Sequence, residues 1–192
     1  MRSLPVRAAL LVSVLAANAQ AQQSATRPMT FLDMQHMRQA GAPAISPDRN
    51  WMLYTISVPD WKEARRQTDI YVVSMTQGVA ATKQLTFSGK ASETSPRWSR
   101  DGSSFVFLSN RDAPESSATR NQLYTMRIDG GEARQVTEAR EGVSNFAFSK
   151  DGKWLAYAAT TIDLAANAST SSVYLMPADG SAAGRSITDG TT

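Results

Sequence analysis

The 192-residue chain contains no cysteine. That absence excludes a disulfide framework, a thiolate metal site and a cysteine nucleophile. Histidine occurs once, as His36, so a Ser-His-Asp triad would have to recruit that residue. His36 sits among Met, Gln and Arg and reads as a surface residue rather than a base or ligand. The chain also lacks a G-x-S-x-G elbow, an H-E-x-x-H pair, a phosphate-binding loop and a G-x-G-x-x-G stretch. No basic patch with interleaved aromatics is present, which argues against nucleic acid. The residues therefore nominate no catalytic site, no cofactor site and no metal site.

Long hydrophobic runs are missing as well. Ala8–Ala17 is too short to span a bilayer as a stable helix. With Arg2 and Arg7 before it and the small-x-small sites Ala17-Asn18-Ala19 and Ala19-Gln20-Ala21 after it, residues 1–21 read as a signal peptide. Cleavage is expected near Ala19 or Ala21, and export without cysteine fits a bacterial periplasm. Removing the segment takes two arginines and no acid, so the formal charge falls from +3 to about +1. No membrane contact is expected once the signal is cleaved.

What the chain does contain is a repeat. Ser46, Ser99 and Ser149 open the turns SPDRNW, SRDGSS and SKDGKW. Tyr54, Phe107 and Tyr157 each follow the serine by eight residues, and Tyr71, Tyr124 and Tyr174 by 25. Each unit closes on an apolar residue and a threonine: Leu85-Thr86, Val136-Thr137 and Ile187-Thr188. Alternating apolar runs on either side of an Asp-Gly turn, as in FAFSKDGKWLAY, are the pattern of a β-hairpin. A period near 50 with about four short strands per unit is the mark of propeller blades.

The fold expected is all-β: a partial β-propeller of three four-stranded blades, 44–86, 96–137 and 146–188, within 44–192 and truncated before closure. The middle blade's strands are expected near Pro96–Ser99, Phe105–Ser109, Gln122–Arg127 and Ala133–Thr137. Residues 22–43 form a tether and a short helix from about Phe31 to Gln39, capped by Thr30 and packed on the first blade. Val58–Thr68 reads as a charged loop whose Trp61, Arg65 and Arg66 are candidates for ligand contact. Ser116–Asn121 and Ile162–Ser171 read as polar excursions at the same point of the other blades. Asp48, Asp101 and Asp151 could be carboxylates for acid–base work. Their recurrence at one position argues instead for a turn-forming role, since chemistry needs a residue once and a turn needs it in every blade.

The repeats SPDRNWMLY, SRDGSSFVF and SKDGKWLAY resemble the TolB-like propeller repeat, which is shared with the N-terminal propellers of prolyl oligopeptidase-family serine peptidases. The lead-in TFLDMQHMRQAGAPAISPD, the DIYVVS and KQLT pairing, and FVFLSNRD are similar to acylaminoacyl-peptidase and dipeptidyl-peptidase members. The resemblance implies a propeller that gates peptide access to a C-terminal α/β-hydrolase domain carrying the triad. The partners implied are that domain and peptide substrates. The chain as given would be catalytically inert. The alternative is a non-enzymatic, TolB-like periplasmic propeller that binds other proteins. The paired glutamates with which dipeptidyl-peptidases hold a substrate amino terminus have no counterpart, because Glu63, Glu93, Glu115, Glu132, Glu138 and Glu141 each stand alone in the sequence.

Overall fold

The computed structural model describes residues 27–113 and 120–188. The signal segment 1–21, most of the tether, residues 116–119 of the middle excursion and Glu115 lie outside them. Among the described residues no helix is long and apolar enough to cross a membrane.

Among the described residues one short helix, α1 (Phe31–Gln35), precedes twelve strands. Thr30 caps it, accepting from the Asp33 amide at 3.3 Å while the Asp33 carboxylate accepts from the Thr30 amide at 2.8 Å. The helix is shorter than the expected 31–39 and does not pack on the sheet as expected. Phe31 and Met34 are exposed, because β1 begins at Gln39 and claims the residues that would have prolonged the helix.

The strands form three antiparallel sheets, each in sequential order. Blade one comprises β1 (Gln39–Ile45), β2 (Trp51–Asp60), β3 (Arg65–Ser74) and β4 (Gly78–Gln84). Blade two comprises β5 (Glu93–Trp98), β6 (Ser104–Ser109), β7 (Gln122–Arg127) and β8 (Arg134–Gln135). Blade three comprises β9 (Val143–Phe148), β10 (Trp154–Asp163), β11 (Ala168–Pro177) and β12 (Arg185–Ser186). The chain is nearly all β, as the repeat implied.

Each sequence landmark has a structural job. The aromatic eight residues after the turn serine and the one 25 after it lie directly opposite on neighbouring strands: Tyr54 with Tyr71, Phe107 with Tyr124, Tyr157 with Tyr174. Their ring centroids are 5.7, 5.9 and 5.2 Å apart. The closing threonines extend the blade after its short last strand ends. Thr86, Thr137 and Thr188 hydroxyls accept from the amides of Ile70, Leu123 and Val173 at 2.8, 2.9 and 3.0 Å. An amide that the ladder would leave orphaned is thereby satisfied.

Two expected loops are strand instead. Pairing of β2 with β3 continues through Val58–Gln67, Pro59–Arg66 and Asp60–Arg65, leaving only residues 61–64 as a turn. Blade three does the same, with Asp163 opposite Ala168. Charge and polarity in these arms match a ribbon with no fully buried residue in 58–68 or 160–171, so composition alone reads as loop.

The core sits in two seams. Leu53, Ile70 and Val72 of blade one meet Trp98, Phe105, Phe107, Tyr124 and Met126 of blade two. The opposite face of blade two, Val106, Leu108 and Leu123, meets Val143, Phe146, Leu155, Tyr157 and Met176 of blade three. Alternate residues of β6 and β7 thus face opposite neighbours, and blade two is buried on both sides.

Candidate functional site

The three turn carboxylates are held by their own turns. Ser46, Ser99 and Ser149 hydroxyls donate to Asp48, Asp101 and Asp151 at 2.5, 2.6 and 2.6 Å. The same hydroxyls accept from the amides of Trp51, Ser104 and Trp154 at 3.0, 3.1 and 2.9 Å. The serine hydroxyl is the first cause that keeps each of these acids below the usual carboxylate range, with backbone amides adding to it. Such carboxylates are poor bases, and they lie on the surface in three separate blades.

Gly102 and Gly152 follow these aspartates with φ of 71° and 73°, while Arg49 occupies the same left-handed position at 61° in blade one.

The remaining sequence candidates separate. His36 is exposed at the end of α1. Arg65 is tied to the carbonyl oxygens of Lys90 at 2.5 Å and Gly89 at 3.3 Å, and Arg66 to Ser57 Oγ at 2.9 Å and the Met37 carbonyl at 3.3 Å. Both guanidinium groups are engaged in tying chain segments together. Trp61 is 55% exposed at the tip of the β2–β3 arm. It shares an open cleft of about 530 Å³ with Val58, Pro59, Asp60, Lys62, Gln67 and Asp69.

Asp69, at the floor of that cleft, leads to a cluster that no sequence motif marked. Glu93, from the first strand of blade two, is fully buried. Its Oε1 accepts from Ser88 Oγ, from Ser109 Oγ at 3.2 Å and from Arg111 Nη2 at 3.1 Å. Its Oε2 is buried without a hydrogen-bond partner, and so is Oδ1 of Asp69. The two carboxyl groups are linked across the seam: Gln67 Nε2 donates to Asp69 Oδ2 at 3.4 Å and to the Ser88 carbonyl at 2.7 Å, and Ser88 Oγ donates to Glu93. Burial first, and then the charge of Glu93, push the Asp69 carboxyl up to about 6. Arg111 supplies the cluster's cation, its guanidinium lying over the rings of Tyr124 at 4.9 Å and Phe107 at 5.5 Å. Glu93 is thus not isolated, as its sequence neighbours implied; folding brings it to an acid 24 residues earlier in the chain.

A signal for this cluster was present in the repeat. Asp69, Gln122 and Ser172 occupy one register, 23 residues after the turn serine. Glu93 and Val143 occupy another, six residues before it. An acid in one copy and a neutral residue in the next marks a position where the blade itself does not demand charge.

Comparisons with known proteins agree with this architecture. A family model described as the TolB beta propeller domain matches residues 21–190. Dipeptidyl-peptidase 5 of Porphyromonas endodontalis is 30% identical over 162 residues, covering 82% of this chain and 22% of that protein. The solved acylaminoacyl peptidase of Pyrococcus horikoshii superposes with a TM-score of 0.60 at 14% identity, over 81% of this chain and 25% of its own. TolB from Acinetobacter baumannii superposes with a TM-score of 0.55 at 22% identity, over 77% of this chain and 32% of its own. These two structural likenesses show a shared fold. The chain spans about a fifth of the length of the dipeptidyl-peptidase it matches.

Proposed function

The chain belongs to the TolB beta-propeller domain family, and from that premise we propose that it is the N-terminal propeller portion of an exported serine peptidase of the prolyl oligopeptidase type. Its role in this reading is to pack against a C-terminal α/β-hydrolase domain and to admit short peptides to it. The observation that supports it is the alignment with dipeptidyl-peptidase 5, which runs through all three blades for 162 residues. The absence of a nucleophile elbow in the sequence agrees, since the chemistry would lie in the second domain. Residues 1–21 would direct export to the periplasm.

A second reading rests on the likeness to TolB at 22% identity: a propeller without a hydrolase, binding other proteins through one rim. One experiment separates them. The full gene product is purified from the periplasm and assayed against dipeptidyl and N-acylated aminoacyl reporters, with an active-site serine probe as a second readout. Labelling and hydrolysis support the peptidase; a full-length product that neither labels nor turns over supports the protein-binding propeller.

A further inference from the structure

We propose that Asp69 and Glu93 share one proton across the seam between blades one and two, making that seam a joint that loosens as the proton leaves. The geometry carries this. Two carboxyl groups from different blades meet with one oxygen each buried and lacking a donor. Two acceptors cannot satisfy each other, and a single proton between them converts the pair into donor and acceptor.

Among the described residues no hydrogen bond reaches either of those two oxygens. From blade one, Gln67 Nε2 reaches Asp69 Oδ2 at 3.4 Å, and the Thr86 hydroxyl lies near enough to favour the ionised Asp69. Ser88 donates to Glu93 Oε1. From blade two, Ser109 Oγ and Arg111 Nη2 also donate to Oε1, while Arg111 Nε donates to Ser109 Oγ at 3.4 Å. Tyr71 on β3 and Tyr124 on β7 feel the negative charge of the pair, and the Tyr124 hydroxyl donates to Asp112 at 2.6 Å. In the cleft before Asp69, Asp60 is 3.7 Å from Arg65, and Lys62 is the remaining cation. One guanidinium faces two carboxyl groups, so the unprotonated cluster carries a surplus negative charge.

The neighbouring seam shows that the fold does not need this arrangement. There Gln122 takes the place of Asp69 and has its oxygen filled by the Thr137 hydroxyl and the Ala139 amide, both at 2.9 Å. Its Nε2 donates to the Ala139 carbonyl at 2.7 Å. Val143, buried and neutral, replaces Glu93. At these equivalent positions blade packing is achieved with no titrating group; the nearby acid of that seam, Glu141, is paired with Arg120 at 2.9 Å, so the Asp69–Glu93 pair adds a dependence on pH that Gln122 and Val143 lack. The cleft of about 530 Å³ in front of Asp69 gives the proton a path to water.

The direction follows from linkage. The elevated affinity of Asp69 for its proton exists only in the assembled seam, so the stabilisation is complete below about 4, the ordinary aspartate value, and is lost as pH rises through about 6. Above that, two charges repel across the joint. The expected consequence is seam opening in neutral surroundings and closure in mildly acidic ones.

The test uses the intact protein with carboxyl-carbon-labelled aspartate, followed by NMR from acidic to neutral pH. One aspartate should titrate near 6, and Glu93→Gln should lower that value toward, but not all the way to, the ordinary range, because burial remains. In parallel, amide exchange at Ile70 and Ser92, corrected for the intrinsic rate, should rise by up to about a hundredfold across that titration, as a proton affinity raised from 3.8 to about 6 in the closed seam requires. Asp69→Asn, a permanently neutral amide in the same place, should remove that rise. The proposal is overturned if no aspartate in the wild-type protein titrates above the ordinary range, or if exchange in Asp69→Asn keeps the wild-type pH dependence. Should Asp69→Asn fail to fold, the wild-type titration alone decides.

Discussion

The two seams of this molecule solve the same packing problem with different chemistry. Both press the outgoing apolar face of one blade against the incoming aromatic face of the next. Both use a closing threonine to satisfy the third strand's amide. Yet the seam between blades two and three has the neutral, hydrogen-bonded Gln122 and Val143 at the positions where the seam between blades one and two has half-buried Asp69 and fully buried Glu93, the latter paired with half-buried Arg111. Since both assemble, the shared apolar faces account for cohesion. The polar positions are left free to set how cohesion responds to conditions. A buried ion cluster adds little net stability against a neutral replacement, because desolvation consumes much of the Coulomb gain.

The sharpest way to break the comparison is to move an acid without its support. Val143→Glu places a carboxylate in the neutral seam where Thr161 stands in the register of Arg111. With no guanidinium at the Arg111 position, and Arg120 already paired with Glu141 at 2.9 Å, the buried charge should cost about 3–5 kcal/mol in urea unfolding at neutral pH. A change under about 1 kcal/mol would mean that the two seams are not distinguished by that cation.

Next in size is the shared threonine. Thr137→Val strands the Leu123 amide, and Thr86→Val the Ile70 amide, each at a cost of about 1–3 kcal/mol. Only the second should also steepen the pH dependence, because the Thr86 hydroxyl helps hold Asp69 ionised and its loss raises the proton affinity further. Equal pH profiles for the two variants would contradict the difference between the seams.

A third change makes the seams alike. The double substitution Asp69→Gln with Glu93→Val installs the neutral seam's residues in the charged one. Its unfolding midpoint at neutral pH should match or exceed wild type by about 1 kcal/mol, and its slope between about pH 4 and 6 should flatten. The smallest effect concerns the turns. Arg49→Gly relieves a left-handed residue at φ 61° where the other blades use glycine, for a net gain of about 0.5 kcal/mol in thermal unfolding.

Much of this fold was legible because repetition checks itself. The aromatic pair, the turn serine and the closing threonine held register through three copies, and each proved to be a contact inside a single blade. The arms read as loops in sequence because a two-stranded ribbon carries the composition of a loop; Trp61 to Ala64 is all that turns at the tip of the β2–β3 arm. The helix was overextended because β1 competes for residues from Gln39 onward. The acid cluster was missed for a different reason. Asp69 and Glu93 belong to different repeats, and period-based reading compares a residue with its equivalents, never with its neighbour in the next blade.

The sequence by itself determined the blade: its period, its hairpins, its aromatic pair and the threonine that closes it, all local contacts within about 40 residues of chain. It also determined that no nucleophile elbow or thiol chemistry is available to this chain. Only the tertiary structure decided what lies between blades. Seam contacts depend on which face of each strand turns toward which neighbour, and on how far a side chain reaches across. Glu93 becomes half of a proton-sharing pair only because stacking removes water from the space it shares with Asp69 and raises the cost of two unscreened charges there.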